Sequence, residues 1–235
     1  VGGGLRYEIT RDFAIRGELR YGRLEANDKL NGPRYEPRNL SFETKLYEAS
    51  GLIEYSFNDL FENSFTPYLF AGLAIFHFNP FTYDTLGAQH WLRPLNTEGQ
   101  GLSQYPDRKQ YKLNQFAIPF GIGVRIEANE YVNLGFEVGA RKLFTDYIDD
   151  VSTTYVDEQL LLNAYGPISS GLAYRGDELK NAAPYPIAGT VRGGPHKDWY
   201  YFAGVTIGFR LFDLTRSSFE RKTSNKYKTD CPAQM

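Results

Sequence analysis

From Phe116 to Ile126 every second residue is large and apolar: Phe116, Ile118, Phe120, Ile122, Val124 and Ile126 alternate with Ala117, Pro119, Gly121, Gly123 and Arg125. After Asn129-Glu130 the alternation resumes, with Val132, Leu134, Phe136, Val138 and Ala140 against Asn133, Gly135, Glu137, Gly139 and Arg141. A period of two puts the two sets on opposite faces of an extended strand, so 113–128 and 131–144 read as a hairpin. The same rhythm marks residues 2–9, 13–23 and 199–212, where the polar positions include Arg6, Glu8, Arg16, Glu18, Arg20 and Arg210. Two further segments are less regular. In 40–57 the phase slips near Glu48, as a β-bulge would make it. In 66–78 both faces are apolar, so the pattern does not say which face is which.

The connections alternate in length. Thr10–Asp12, Asn58–Ser64 and Asn129-Glu130 are short; 24–39, 79–112 and 145–198 are long. An antiparallel meander with all its short turns at one end has this rhythm, and outer-membrane barrels place those turns in the periplasm. With that orientation, strand 2–9 runs inward from the cell surface. Bacterial barrels have even strand counts, so seven visible segments lead us to expect an eighth strand upstream of Val1. The expected fold is thus all-β: an eight-stranded antiparallel transmembrane barrel over 1–212, with extracellular loops 24–39, 79–112 and 145–198, followed by a tail at 213–235.

Composition alters this picture little. Eighteen Tyr, 17 Phe and 23 Gly make the chain β-prone, and no apolar run approaches the ~18 residues of a membrane helix. A net charge of −2 argues against nucleic acid as a partner. The single cysteine, Cys231, rules out disulfides within the chain and cysteine-based metal centres. A mean hydropathy of −0.45 suits a soluble protein, and equally a barrel whose two faces cancel along each strand.

The polar face decides which way the strands point. A lipocalin-like barrel would turn the apolar face inward around a ligand; a membrane barrel does the reverse. Here the polar face carries Gly121, Gly123, Gly135, Gly139, Gly204 and Gly208, which leave room in a crowded interior. It also carries charges of both signs: Arg6, Glu8, Arg16, Glu18, Arg20, Arg125, Glu137, Arg141 and Arg210. The interior of a small barrel is just wide enough for side chains to fill, and buried charges there must pair. We therefore expect a lumen charge network closed to solutes, with the apolar face against outer-membrane lipid. Phe116, Phe144, Trp199, Tyr200, Tyr201 and Phe212 near strand ends fit interfacial girdles.

The loops offer weaker signals. Asp146, Asp149, Asp150 and Asp157 could gather around Ca²⁺, but their spacing matches no EF-hand, and Asx turns and helix caps use the same residues. Residues 157–173 read as a short helix begun by an Asp cap and interrupted at Gly166-Pro167. His77, His90 and His196 are scattered. A hydrolase at the barrel rim would need His77 near Ser103 or Ser152, and no nucleophile elbow, P-loop or HExxH motif is present. No cofactor is indicated. The tail brings Arg216, Arg221, Lys222, Lys226 and Lys228 to the periplasmic side. With the turns at Thr10–Asp12, Asn58–Ser64 and Asn129-Glu130, these are the candidates for contact with a partner, although a basic tail near anionic lipid needs none.

The strings "LNTEGQGL", "AIPFGIGVRI", "GFEVGARKLFTDYIDDVSTTYVD", "RGGPHKDWYYFAGVTIGFRL" and "CPAQM" together resemble the PorG family, small outer-membrane barrels linked to the type IX secretion system. The similarity runs from about Gly4 to Leu211 and is most specific at "FTDYIDDVSTTY". In that family a glycine-rich strand precedes the point where this chain begins. The resemblance implies a non-enzymatic role, as an anchor for the periplasmic ring built by the PorK lipoprotein and PorN. The alternative is a surface binding module or accessory barrel, whose long loops contact another outer-membrane barrel, a secreted protein or a glycan.

Overall fold

A computed structural model of the protein describes residues 1–30, 36–58, 65–129, 131–193 and 197–211. It is a strongly curled, antiparallel sheet of eight strands. These are β1 (Gly2–Glu8), β2 (Phe13–Asn27), β3 (Ser41–Ser56), β4 (Phe65–Tyr83), β5 (Gln89–Trp91), β6 (Asn114–Glu127), β7 (Val132–Leu143) and β8 (Trp199–Phe209). Seven form a meander in the order β1-β2-β3-β4-β6-β7-β8, and β5 pairs only with β4. The seven correspond to the segments of alternation; β5 is an addition within loop 79–112. Among the described residues no helix is long and apolar enough to cross a membrane, which says nothing about crossing by strands.

β2 and β4 outrun their expected ends because the loop-side halves of these strands keep pairing. β2 stays in register with β3 up to Asn27↔Ser41, and β4 continues past Phe78 to pair with β5 at Phe81↔Trp91. The predicted bulge near Glu48 is absent. Register between β2 and β3 runs unbroken through Arg20↔Glu48, and burial alternates strictly from Thr44 to Ser56. Glu48 looked out of phase because its neighbours Ala49 and Ser50 are too small to mark a face.

The two faces are chemically opposite. Outward positions hold Leu5, Ile15, Leu19, Ile53, Leu69, Leu73, Ile122, Phe136, Val205 and Ile207, all exposed, with Leu73 at 71% and Val205 at 76%. Inward positions hold Arg16, Glu48, Glu54, Arg125, Glu137 and Arg141, all buried. On β4 the ambiguous face resolves: Tyr68, Phe70, Ala74, Phe76 and Phe78 point inward. With Leu46, Tyr111, Ala117, Leu143 and Ile148, the upper members of this set form an apolar plug at the loop end.

The long connection after β7 carries α1 (Glu158–Tyr165) and α2 (Pro167–Ala173). Asp157 caps α1, its side chain accepting from Leu160 N at 3.0 Å. Gly166, at φ 84°, breaks the helix before Pro167, as the spacing predicts.

Candidate functional site

Inside the curled sheet, charges from strands far apart in sequence meet. The Glu54 carboxylate of β3 receives Arg6 of β1 at 2.6 Å, Arg16 of β2 at 2.7 Å and Arg125 of β6 at 3.1 Å. Glu137 of β7 pairs with Arg16 and, at 3.2 Å, with Arg20, and accepts from the Tyr68 hydroxyl at 2.7 Å. Higher up, Arg141 and Glu48 pair at 2.9 Å, and Tyr200 donates to Glu48 at 2.6 Å. Arg6 holds Glu8 at 2.6 Å, Arg16 and Arg20 each hold Glu18 at 2.9 Å, and Arg210 reaches Glu127 at 3.1 Å.

Seven of the nine residues expected in the lumen network, Arg6, Glu8, Arg16, Glu18, Arg20, Arg125 and Glu137, are joined in one cluster through Glu54, while Arg141 and Arg210 form separate pairs with Glu48 and Glu127. With these three further carboxylates, six arginines meet six glutamates. The imbalance of the expected set, six arginines against three glutamates, was the available signal, because unpaired buried cations are strongly disfavoured. Tyr200 corrects another expectation. It faces Glu48 inside the sheet, whereas Phe116, Phe144, Trp199 and Tyr201 are exposed as girdle residues should be. Phe212 lies outside the described residues.

Aromatic rings fill what the charges leave. Tyr68 sits opposite Gly123 on the neighbouring strand, and a Cβ there would come within 2.4 Å of the Tyr68 ring. Phe202 lies opposite Gly139 in the same way, at 2.7 Å. The rings also receive the guanidiniums: Arg125 lies 4.5 Å over Tyr68, Arg16 5.2 Å over Phe70 and Arg141 4.1 Å over Phe202. Arg125 Nη1, Arg16 Nη2 and Arg141 Nη1 have no hydrogen-bond acceptor, and the π faces supply the missing attraction. The centre of the lumen is buried at this level, with Arg141 at 1% exposure and Glu54 at 0%.

Above the plug the long loops form a cap held by buried polar contacts. The fully buried Glu98 carboxylate accepts from Ser152 N at 2.9 Å, Thr153 N at 3.1 Å, Thr153 Oγ1 at 2.8 Å and Arg192 Nη1 at 3.1 Å. Arg192 also donates to the carbonyls of Asp150 at 2.7 Å and Ala173 at 3.1 Å. Burial alone would lower the Arg192 pKa; Glu98 and Asp150 reverse this and raise it. Arg108 ties the 96–110 loop to the other long loop through Thr154 O and Oγ1, at 2.8 and 2.7 Å. Arg175 joins the cap to β4 through Tyr83 O at 2.9 Å. Glu98 and Arg192 carry no sequence signal of this role, because their partners are mostly backbone groups.

The four loop aspartates have separate tasks. Asp157 is the helix cap; Asp150 accepts from Thr97 and, at 2.7 Å, from Tyr111; Asp146 accepts from Ser152 at 2.8 Å; Asp149 accepts from Val151 N at 3.0 Å. Among the described residues no three acidic, His or Cys side chains gather as a metal would require. Burial, with Asp198 nearby, pushes Asp149 up to about 8, and burial also raises Asp150 to about 6. His77 is on the outward face, 2.7 Å from Asn114 Oδ1, while Ser152 bonds to Asp146 and Ser103 to Gln104, so no rim dyad forms among them. His196 lies outside the described residues. At the short-turn end Asn129 is occupied locally, accepting from Tyr131 N and Val132 N at 2.9 Å. Glu130 and the tail residues Arg216, Arg221, Lys222, Lys226 and Lys228 lie outside the described residues.

A family model described as Domain of unknown function (DUF6089) matches residues 4–174. The chain belongs to that family. The match begins in β1 and ends just after α2, so it takes in the strands up to β7 and the Glu98 side of the cap clamp, while Arg175 and Arg192 lie beyond it. Comparison with curated proteins and with solved structures returns no match.

Proposed function

We propose that the protein is an outer-membrane β-barrel with a structural role in type IX secretion, anchoring a PorK/PorN-type periplasmic ring. The observation that carries the membrane reading is the outward apolar belt around a filled, charge-paired lumen. On β4 the outward apolar row runs from Phe65 to Ile75, ten residue steps, or about 33 Å of strand. At a tilt of about 40° this gives a height of about 25 Å, the height of the apolar band of outer-membrane barrels. Polar outward residues follow directly on the loop side: His77 on β4, Lys45 on β3, Arg23 on β2 and Lys142 on β7. A soluble monomer rarely exposes contiguous apolar surface of more than a few hundred Å², and lipid is the cover that needs no specific partner.

The secretion role rests on the family resemblance, and the packed lumen supports a structural rather than a conducting part. Its test is cross-linking in intact cells followed by capture of the tagged barrel from solubilised outer membranes. Ring proteins should be recovered, and deletion of 213–235 should reduce their yield. Capture without any ring protein would refute anchoring, and unchanged yield after the deletion would remove the tail as the contact.

A second reading, a surface binding module, is favoured by the cap, whose loops are clamped to one another as a preformed surface requires. Replacing 145–198 without loss of secretion, but with loss of surface binding, would select it.

A further inference from the structure

The cap carries an open cleft of about 580 Å³, lined by Asn96, Gln100, Ser103, Tyr105, Lys109 and Tyr165 among others. That volume falls within the range of small-molecule sites. We propose that it binds an acidic saccharide, a sugar chain bearing carboxylate groups; this gives the second reading above a ligand and does not depend on the anchoring role.

Three features of the cleft point to this chemistry. The first is its rigidity. Tyr165 donates to Gln100 O at 2.6 Å, and the Tyr105 hydroxyl accepts from Asp157 N at 3.2 Å, so both rings are fixed walls. Gly99 and Gly101, at φ 73° and 90°, shape the loop between them, and Arg108 pins it to Thr154. A wall that is already ordered loses little entropy when a ligand arrives.

The second is charge. Arg108 and Lys109 both line the cleft, and no carboxylate does; Asp107 is next to them in sequence but not in the lining. Arg108 hydrogen-bonds to Glu98 O, Thr154 O and Thr154 Oγ1, and it stacks 4.6 Å over Tyr105, with no acidic partner among the described residues. Lys109 is exposed and has no ion pair among them. The cleft is therefore cationic on a protein whose net charge is −2.

The third is the character of the remaining groups. Asn96 and Gln110 bring amides, held to one another through Gln110 Nε2 and Asn96 Oδ1 at 3.1 Å with Gln110 Oε1 left over, and Ser103 a hydroxyl, against the two tyrosine rings and only Leu102 and Pro106 as aliphatic walls. Amides pair with sugar hydroxyls, and rings pack against the apolar face of a pyranose; a peptide would ask for deeper apolar pockets or an unpaired strand edge. Gln100 is nearly fully buried, its Oε1 accepts from Glu98 N at 3.1 Å, and its Nε2 has no partner.

The test is calorimetric titration of the intact protein in detergent micelles with three probes of similar length: a galacturonic acid trimer, the neutral maltotriose and a glutamate tripeptide. The uronate trimer should bind, more weakly as salt is raised, and at least tenfold more tightly than either other probe. Lys109→Glu, a change at an exposed side chain, should weaken it at least tenfold while heat-dependent gel mobility stays that of the folded barrel. Equal binding of maltotriose, preference for the tripeptide, no binding of any probe, or an unaffected Lys109→Glu variant would each overturn the proposal. None of these outcomes bears on recovery of ring proteins from cells.

Discussion

In the lumen, Glu54 and Glu137 are held by guanidiniums from strands up to 121 residues away, and each carboxylate is matched by a side chain of opposite charge. In the cap, Glu98 takes three of its contacts from the backbone and hydroxyl groups of Ser152 and Thr153, and Arg192 gives two of its own to carbonyls. Both regions bury ions. The lumen neutralises charge with charge, and the strands decide which charges meet. The cap neutralises charge largely with peptide dipoles, and the charged side chains decide where the loops go. Losing a lumen ion should therefore threaten the barrel, whereas losing a cap ion should release loops from an intact barrel.

The largest effect should come from Glu137→Ala. It leaves Arg16 and Arg20 short of a carboxylate and the Tyr68 hydroxyl without its acceptor. Breaking a buried pair by removing one partner costs about 3–5 kcal/mol. Urea titration of the barrel refolded in lipid vesicles should show this loss; a variant as stable as the parent would mean that water reaches the lumen and screens these charges.

The contrast extends to the outer surfaces. Leu73 on β4 and Leu86 at the β4–β5 turn are both exposed, at 71% and 91%. Leu73 lies inside the proposed lipid belt and Leu86 lies beyond it. Leu73 lies three residues from the middle of the Phe65–Ile75 row, so Leu73→Arg should cost about 1–3 kcal/mol, between the ~2–4 of the bilayer midplane and the ~0–1 of the interfaces, and Leu86→Arg should stay within about 0.5 kcal/mol of the parent, as surface changes usually do. The same vesicle titration reads both. Equal and negligible effects would remove lipid from the account of the belt.

The difference between the two regions also explains how much could be read in advance. Strands follow a period of two, so the seven long strands and the facing of Arg125, Glu137 and Arg141 were visible in the alternation. Where side chains are small, as at Ala49 and Ser50, the period loses contrast, and Glu48 was misplaced with it. On β4 the plug of Phe76 and Phe78 makes the inner face as apolar as the outer, which erased the sidedness. In the cap only local signals survived: the Asp157 cap and the Gly166-Pro167 break. The reach of Glu98 to Thr153 spans 55 residues and has no period, so nothing in the chain announces it. Nor does alternation say anything about a cleft formed where Tyr165 meets the 96–110 loop.

The smallest effect per step of the measurement, one pH unit, separates cap from lumen. Burial and the neighbouring Asp198 hold Asp149 protonated up to about pH 8, and burial raises Asp150 and Asp198 to about 6. A carboxyl whose folded pKa lies above its unfolded value of about 3.9 favours the folded state when protonated. That contribution is complete below about pH 4 and is lost as pH rises through the folded value, at no more than about 1.4 kcal/mol per pH unit for one group. The cap should therefore loosen between pH 4 and pH 8. Amide exchange over 145–193, corrected for intrinsic rates, should be faster at pH 8 than at pH 5, while β3 and β4 stay protected. Asp149→Asn removes the ionisation and keeps the size, so it should flatten the upper part of this dependence, from pH 6 to 8. The part below pH 6, set by Asp150 and Asp198, should remain. If the variant keeps the full slope, Asp149 is solvated in the folded cap, and the cap's response to pH belongs to other groups.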